Sequence, residues 1–290
     1  MEQRFEDGFA GRVAVVTGGG DGIARALVLR LTAQGCDVAT CDVMEDKVAQ
    51  TARMCRDAGH PGEVLVGTVD VSDEAQVLEF RDRVAEWRPH VHLLCNIAGI
   101  GRGGSFVKAS REEWERTFGV SWFGVYYNCR AFLPLLMAAP VGHVVNMSSV
   151  KSFWASRGPT TPHSAYSTAK AAIRGFTESL ITDFRVNAPH LRASVVMPGH
   201  VATSITANSI KVHTGQDAPP EILEQAQAFS DKAPVSADDA AVIILDAVRN
   251  DEWRILIGDD AKWLDERVRS NPWNVYEPEF TGLHIAEVKD

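Results

Sequence analysis

The stretch Val13-Ala-Val-Val-Thr17-Gly18-Gly19-Gly20-Asp21-Gly22-Ile23-Ala24 decides the fold, because it joins a short apolar strand to a helix through glycines. The valines predict a buried strand, and Ile23, Leu27 and Leu31 recur at four-residue spacing, which predicts an amphipathic helix. Glycines at such a turn let backbone N–H groups approach a pyrophosphate at the positive end of the helix. The stretch therefore predicts a phosphate-binding turn, with an ordinary strand–helix turn as the alternative.

The same alternation continues along the chain. Strands are predicted at 37–41, 64–69, 92–96, 143–147, 192–196 and 254–257, and helices at 45–58, 73–87, 111–137, 164–186 and 237–248. Alternating strands and helices predict a parallel sheet, and strands without polar alternation are covered on both faces. We expect one doubly wound α/β domain over residues 1–290, a three-layer sandwich around a mainly parallel seven-stranded sheet.

Composition excludes several classes of protein. The 290 residues carry 29 Lys+Arg against 38 Asp+Glu, a net charge of −9, and 45% are hydrophobic, which argues against disorder and against nucleic acid as a partner. The five cysteines lack Cys-x-x-Cys spacing and are expected to be buried in a reducing, cytoplasmic protein. The richest apolar stretch, 131–141, is shorter than the about 20 residues that span a bilayer, so neither a membrane segment nor an export signal is expected.

Two later segments differ from this alternation. Residues 203–234 read as polar and irregular, with only a weak helix, and a segment of this length is typical of a substrate lid. The tail, about 260–290, holds the aromatic residues Trp263, Trp273, Tyr276 and Phe280, which need a surface to cover on this subunit or a neighbour.

Asp42 closes the second predicted strand, 20 residues after Gly22, where a carboxylate can bind the two hydroxyls of an adenosine ribose. No Lys or Arg adjoins it, and Asp21 adds a second negative charge, so a 2′-phosphate would be repelled. The pattern favours NAD over NADP. The alternative is a solvated strand-end acid or helix cap.

Tyr166 and Lys170 are spaced so that they lie one turn apart on one face of a helix. A phenol has an unperturbed pKa of about 10, and neighbouring positive charge favours its phenolate. The pair therefore predicts a tyrosine general acid/base tuned by a lysine, although the spacing alone is a weak signal.

Together with these residues, the chain resembles the classical short-chain dehydrogenases/reductases over nearly its whole length. The blocks that carry the resemblance are Thr17-Gly-Gly-Gly-Asp-Gly-Ile23, Asp70-Val71, Asn96-Ile-Ala-Gly99, Asn146-Met-Ser-Ser149 with Tyr166 and Lys170, and Pro198-Gly-His-Val-Ala-Thr203. All follow predicted strands, in the order that the family has them. The resemblance implies a Rossmann-type fold and a nicotinamide cofactor.

The resemblance also implies residue roles. Tyr166 would act as general acid/base, Ser149 would bind the same substrate oxygen, and Lys170 would tune Tyr166 and bind the nicotinamide ribose; Ser148 is the alternative inward hydroxyl. The implied cofactor-binding residues are Gly18, Asp21, Gly22, Ile23, Asp42, Asp70, Val71, Asn96, Ala98, Gly99, Tyr166, Lys170, Pro198, Gly199, Val201 and Thr203.

Three positions depart from the family pattern. Ala24 stands for a glycine and Ile97 for an asparagine, both of which we interpret as packing changes. Ser121 stands for the asparagine of the family's catalytic tetrad, whose main-chain carbonyl is thought to hold a relay water. A serine leaves that carbonyl in place, so activity is expected to survive, and whether Ser121 takes the tetrad role stays open.

The interval from Ser149 to Tyr166 is longer than the family usually shows, so Phe153 and Trp154 are either walls of a substrate pocket or packing residues. His163 and His200 lie near the same mouth without metal-ligand spacing, and no metal site is assigned. Apolar residues expected at the mouth suggest an apolar alcohol or ketone as substrate: Phe153, Trp154, Met197, Ile205 and Ile210.

The sequence thus favours an NAD(H)-dependent oxidoreductase that interconverts a secondary alcohol and a ketone, working as a homodimer or homotetramer. Two alternatives remain at this point. One is an NADP-dependent carbonyl reductase on the same fold, and the other is a sensor or structural subunit that binds the nucleotide without turnover.

Overall fold

The computed structural model describes residues 5–101, 104–156 and 161–280. Its strands are β1 (Val13–Thr17), β2 (Asp37–Asp42), β3 (Val64–Thr68), β4 (Leu93–Asn96), β5 (Gly142–Met147), β6 (Leu191–Pro198) and β7 (Arg254–Ile257). They form one seven-stranded sheet in the order β3-β2-β1-β4-β5-β6-β7, and every neighbouring pair is parallel. The prediction of a doubly wound parallel sheet is confirmed.

The helices are α1 (Gly22–Ala33), α2 (Glu45–Asp57), α3 (Glu74–Trp87), α4 (Arg111–Phe118), α5 (Gly124–Met137), α6 (Ser164–Asn187), α7 (Ile205–Thr214), α8 (Pro220–Asp231), α9 (Ala237–Arg249) and α10 (Asp259–Ser270). A π-helical turn, Gly119–Phe123, joins α4 to α5, and a 3₁₀ turn, Val150–Ser152, follows β5. The single helix predicted at 111–137 is therefore two helices with a wider turn between them.

Two apolar cores explain why the strands are apolar on both faces. One core contains Leu27 of α1 and Ile244 of α9, and the other contains Phe80 of α3, Phe132 of α5 and Ile173 of α6. The five cysteines are free and buried, as the sequence predicts. Among the residues that the structure describes, no helix combines the length and apolar character needed to cross a bilayer.

Strand order reverses between β1 and β4, because β1 lies between β2 on one side and β4 on the other. In open parallel sheets the crevice at such a reversal, beyond the carboxyl ends of the strands, is where ligands bind. Thr17 fixes this edge: its hydroxyl oxygen accepts hydrogen bonds from the backbone N–H groups of Ile97 (3.0 Å) and Ala98 (3.1 Å).

The segment 203–234 is more ordered than the sequence predicts. It contains two helices, α7 and α8, and α7 ends at Gly215, whose φ of 70° is the left-handed conformation typical of a helix C-terminus. These helices have a weak apolar pattern because they bury few residues: α8 has no buried residue and α7 has only Ser209.

Candidate active site

A cavity of about 410 Å³ lies at the carboxyl edge of the sheet and extends from the ends of β2 and β3 to the ends of β5 and β6. The predicted site residues in its wall are Gly18, Asp21, Gly22, Ile23, Asp42, Asp70, Val71, Ala98, Gly99, Ser149, Tyr166, Lys170, Pro198, Gly199, Val201 and Thr203. Residues from all five predicted blocks, together with Asp42, thus meet in one crevice.

The glycine-rich turn is held open by close contacts. Gly18 has a φ of 77°, and a Cβ atom there would lie 2.9 Å from the Cα atom of Ala98. Gly22 has a φ of 54°, and its Cβ would lie 3.3 Å from Thr203. Because other side chains cannot occupy these positions without strain, the turn keeps bare backbone facing the cavity at the start of α1, as a bound pyrophosphate requires.

Asp42 is fixed by two backbone donors. Its Oδ2 atom accepts a hydrogen bond from Gly20 (3.0 Å) and its Oδ1 atom from Met44 (2.9 Å). Burial raises the pKa of Asp42, although these N–H groups oppose the shift. The carboxylate both stabilises the turn and lines the cavity, and it does not cap α2, whose N-cap residue is Met44. Binding of a ribose by Asp42 stays a prediction.

The sequence shows no cation next to Asp42, but the fold brings Lys47 to this part of the cavity, where it pairs with Asp21 and its charge acts on Asp42. Its ammonium, on α2, lies 3.1 Å from Oδ2 of Asp21 and donates a hydrogen bond of 2.8 Å to Asn208 of α7. Burial alone would raise the pKa of Asp21, but hydrogen bonds from Asn208 and Gly22 and the charge of Lys47 lower it overall. The negative charge of Asp21 is thus paired within the protein, so the prediction of NAD preference rests mainly on Asp42.

Asp70 follows β3 and pairs with Arg116 of α4 at 2.7 Å. Burial acts to raise the pKa of Asp70, but hydrogen bonds from Arg116 and Ser72 outweigh it and lower the pKa overall. Arg116 also lines the cavity, which the sequence did not predict. Val71 packs against Gly124, where a Cβ atom would lie 2.7 Å from its side chain.

Lys170 lies one turn beyond Tyr166 in α6, as predicted from their spacing. Its side chain is buried, its ammonium donates a hydrogen bond of 2.7 Å to the main-chain oxygen of Met147, and it lies 5.4 Å from the centre of the Tyr166 ring. Burial lowers the pKa of Lys170 to about 7. The fold therefore places a cation beside the phenol ring.

The two serines after β5 have different environments. Ser148 donates a hydrogen bond of 2.7 Å to the main-chain oxygen of Lys170, which commits its hydroxyl proton to the protein. Ser149 accepts a hydrogen bond of 3.2 Å from the backbone of Lys151 and so retains its own proton for a ligand. This geometry favours Ser149, as the family motif does.

Ser121 lies in the π-helical turn and is fully buried. Its hydroxyl donates a hydrogen bond of 3.3 Å to the main-chain oxygen of Ile100. A Cβ atom on Gly99 would lie 3.8 Å from this hydroxyl and 3.3 Å from the Lys170 ammonium, so the three residues are clustered. Ser121 is not in the cavity wall; it packs behind Gly99, and π-helical turns are frequent at functional sites.

The side chain of Asn96, predicted to bind the cofactor, does not line the cavity. Its side chain donates a hydrogen bond of 2.8 Å to Asn146, whose amide donates one of 3.0 Å to Thr177, all within the buried sheet and α6. The cavity wall begins one residue later, at Ile97. Asn96 therefore joins β4 to β5, because its side chain points into a covered face of the sheet.

The turn after β6 is held by α10. Asp260 accepts a hydrogen bond of 2.7 Å from the backbone of His200, and a Cβ atom on Gly199 would meet its carboxylate. Glycine at position 199 thus lets the Asp260 carboxylate keep its bond to His200. The position of Asp260, remote in sequence, carried no signal that could have predicted this contact.

Trp154 is a packing residue, which resolves the alternative left open by the sequence. Its side chain is buried, its indole N–H donates a hydrogen bond of 2.8 Å to Val275, and its ring lies 5.7 Å from that of Phe280. Phe153 packs against the same cluster. Residues 157–160 of this loop lie outside the described residues.

The tail covers this cluster within the same subunit, and Trp273 and Tyr276 remain exposed. The last part of the predicted tail, 281–290, lies outside the described residues. Of the residues used to predict an apolar substrate, only Ile205 is in the cavity wall, while Met197 is buried in β6. The apolar wall comes instead from other elements: Ile100, Val120, Val150, Val212 and Phe229.

His163 and His200 both line the cavity. The His163 ring lies 4.8 Å from the Tyr166 ring, and the His200 ring lies 3.8 Å from that of Phe229 of α8. Within the described ranges, no cluster of three or more His, Cys, Asp or Glu side chains could hold a metal ion.

A doubly wound parallel sheet with a glycine-rich turn at its reversal point is the architecture of Rossmann-type nucleotide-binding proteins. The model of the short chain dehydrogenase family matches residues 12–213, and the chain belongs to this family.

Relatives and solved structures agree with this assignment. A Mycobacterium tuberculosis protein named as the oxidoreductase SadH is 35% identical over 263 residues, which cover 90% of this chain and 91% of the relative. The 2,3-dihydro-2,3-dihydroxybenzoate dehydrogenase of Bacillus subtilis is 30% identical over 198 residues, 68% of this chain and 73% of the relative. A Burkholderia phymatum short chain dehydrogenase/reductase, solved in complex with NAD, is 30% identical with a TM-score of 0.79, over 90% of this chain and 94% of that one.

Proposed function

We propose that the protein is an NAD(H)-dependent dehydrogenase that interconverts a secondary alcohol and a ketone. The observation that carries the proposal is the cluster of Ser149, Tyr166 and Lys170 in the wall of one cavity, with the Lys170 ammonium beside the Tyr166 ring. A bound nicotinamide ring would supply the hydride acceptor or donor for this reaction.

The proton is handled by the protein. Lys170, held by Met147, favours the phenolate of Tyr166, so that Tyr166 takes the proton of a substrate hydroxyl in oxidation and returns it to a carbonyl oxygen in reduction. Ser149 orients the same oxygen. Ser121 takes part only from behind Gly99, and we propose that its main chain rather than its hydroxyl serves the site, since the hydroxyl is bonded to Ile100.

The cavity fits a dinucleotide. The bare backbone at Gly18 and Gly22 would hold the pyrophosphate, and Asp42 would bind the adenosine ribose. Asp70 and Val71 would contact the adenine, while Val201 and Thr203, after Pro198-Gly199, would hold the carboxamide. Asp42 favours NAD, and the NAD complex of the Burkholderia phymatum relative supports this choice.

Three further expectations belong to this proposal. The chain works as one domain in which α7 and α8 form a lid over the cavity, because both helices contribute wall residues. It assembles as a homodimer or homotetramer, for which the exposed Trp273 and Tyr276 supply contact surface. It acts in the cytoplasm, in keeping with its free, buried cysteines.

The experiment is an NAD-coupled absorbance screen of the purified protein over steroid, terpenoid, aryl and short aliphatic alcohols, with sedimentation velocity for the assembly. We expect turnover with NAD, and a loss of about 100-fold or more in kcat in Tyr166→Phe with NADH binding retained. NADH binding without oxidation of any alcohol would favour the non-catalytic subunit. Tighter binding of NADPH than of NADH would favour the carbonyl reductase.

A further inference from the structure

His200 is a buried polar side chain in the cavity wall that the proposed reaction does not use. It follows β6 in the Pro198-Gly199 turn and is 6% exposed. Neither of its ring nitrogens makes a hydrogen bond of normal length and angle within the described residues, although the Phe229 backbone lies close enough to act on the pKa of the ring. A buried imidazole without partners is unfavourable, so its presence at a ligand cavity points to a partner on the ligand.

The groups packed around His200 leave its ring neutral. Its backbone, rather than its ring, bonds to Asp260, and its ring packs against that of Phe229 of α8 with the ring centres 3.8 Å apart and the planes tilted by 32°. Burial lowers the pKa of His200, while the Phe229 backbone and the Asp260 charge oppose the shift. A neutral imidazole presents one N–H donor and one nitrogen acceptor, which matches a hydroxyl or a carbonyl oxygen.

The position of His200 relates it to the reacting end of the cavity. Strand β6 pairs directly with β5, and Ser149 follows β5, whereas Asp42 and Asp70 follow strands at the other side of the sheet. The cavity wall also carries Phe229, which packs against His200, and Ile205, both of which are apolar. A substrate there meets an apolar surface with one buried hydrogen-bonding group.

We propose that His200 binds a second oxygen of the substrate, so that the enzyme acts on alcohols with an apolar body and a further hydroxyl or carbonyl group. This inference rests on the proposed function and narrows the substrate class that the sequence suggested. A simple hydrocarbon alcohol would offer no hydrogen-bonding group to His200. Sites with a buried polar group strongly favour substrates that bond to it over analogues that lack the matching group.

The experiment compares matched substrates. For each carbon skeleton that the NAD-linked screen shows to be oxidised, kcat/KM of the mono-ol is compared with that of its diols and hydroxyketones, such as cyclohexanol against the 1,2-, 1,3- and 1,4-cyclohexanediols. We expect kcat/KM of the best diol or hydroxyketone to exceed that of its mono-ol by about tenfold or more. Having two equivalent hydroxyls would by itself raise kcat/KM only about twofold.

His200→Phe keeps a ring on Phe229 but removes both nitrogens, and we expect the ratio between the paired substrates to fall to about the statistical value. His200→Gln restores a donor and an acceptor, so part of the ratio should return. His90→Phe, a matched substitution before β4 and outside the cavity wall, should keep the wild-type ratio. NADH affinity of each variant checks that the cavity is folded.

Equal kcat/KM for mono-ols and second-oxygen substrates in the wild type would overturn the inference and leave the dehydrogenase proposal intact. An unchanged ratio in a His200→Phe protein that binds NADH normally would also overturn it. Absence of NAD-linked turnover on every skeleton would reject the proposed function itself, and the inference with it.

Discussion

The Lys170 ammonium donates a hydrogen bond of 2.7 Å to the main-chain oxygen of Met147. Met147 ends β5 and Lys170 lies in the second turn of α6, so this bond joins the strand that precedes Ser149 to the helix that carries Tyr166. It also holds a cation that is 2% exposed in a place where water cannot solvate it. The buried Lys170 ammonium thus serves the proposed chemistry but lowers the free energy of unfolding.

Lys170→Met is therefore expected to stabilise the ligand-free protein while removing activity. At pH 6 the lysine is charged in both the folded and unfolded states, and the variant should gain about 1–2 kcal/mol, or about 2–4 °C in Tm, after the loss of the Met147 bond. Because burial lowers the folded pKa to about 7, the buried amine loses its proton as the pH rises. The gain should shrink by pH 9 in scanning calorimetry; a gain that is equal at both pH values would contradict the burial argument.

Asp42→Asn should shift cofactor preference toward NADP. The substitution removes the charge that repels a 2′-phosphate, and the amide oxygen can still accept one of the two backbone hydrogen bonds from Gly20 and Met44. We expect KM for NADP to fall by about tenfold relative to KM for NAD. Adding Lys47→Met should reduce this gain if the nearby ammonium helps to bind the phosphate, and initial-rate kinetics with both cofactors measures the two effects.

Asn208→Ala should loosen the lid over the cofactor. Asn208 of α7 accepts a hydrogen bond from Lys47 and donates one of 3.1 Å to Asp21, so its side chain fastens α7, part of the proposed lid, to the start of α1 and to α2. We expect the Kd for NADH to rise by about three- to tenfold, with dissociation accounting for most of it. Stopped-flow fluorescence measures the rate, and Asn187→Ala, at the exposed end of α6, is the control. Equal dissociation rates would contradict a fastening role.

His92 should make the protein less stable in acid. Its Nδ1 atom accepts a hydrogen bond of 3.0 Å from the backbone of Val13, and burial lowers its pKa from 6.5 to about 4, with smaller effects from His90 and Arg12. The unfolded chain therefore takes up a proton between pH 6.5 and 4 before the folded chain does, and stability falls over that range by up to about 3 kcal/mol. Urea unfolding at pH 7, 5.5 and 4 measures the loss. His92→Asn retains an acceptor for Val13 and should show a flatter dependence.

Much of the site could be predicted from the sequence because its residues sit at the carboxyl ends of parallel strands. The register of such a sheet brings those ends to one edge, so blocks as distant as Gly18 and Thr203 were expected to meet, and both line the cavity. The pairing of Tyr166 with Lys170 followed in the same way from the helix period. Asn96 was misplaced because the last residue of a strand can face either the crevice or the covered side of the sheet.

Other features depend on contacts between remote segments. Arg116 of α4 lines the cavity. Lys47 of α2 and Asp260 of α10 bind residues that line it, Asp21 and His200 respectively. From the sequence, Trp154 could line a substrate pocket or pack in the core. Its contacts with Val275 and Phe280, more than a hundred residues later, make it a packing residue. No local pattern encodes such pairings.

The sequence by itself determined the parallel sheet, the glycine-rich turn and the Tyr166–Lys170 pair, because each follows from a short-range period or from the steric freedom of glycine. Only the tertiary structure decided which polar groups have partners. It gave Asp21 a cation, committed Ser148 to Lys170 and left His200 buried in the cavity wall without a bond to its ring. The physical reason is that solvation and hydrogen bonding depend on what surrounds a group in three dimensions, which residue order specifies only through the completed fold.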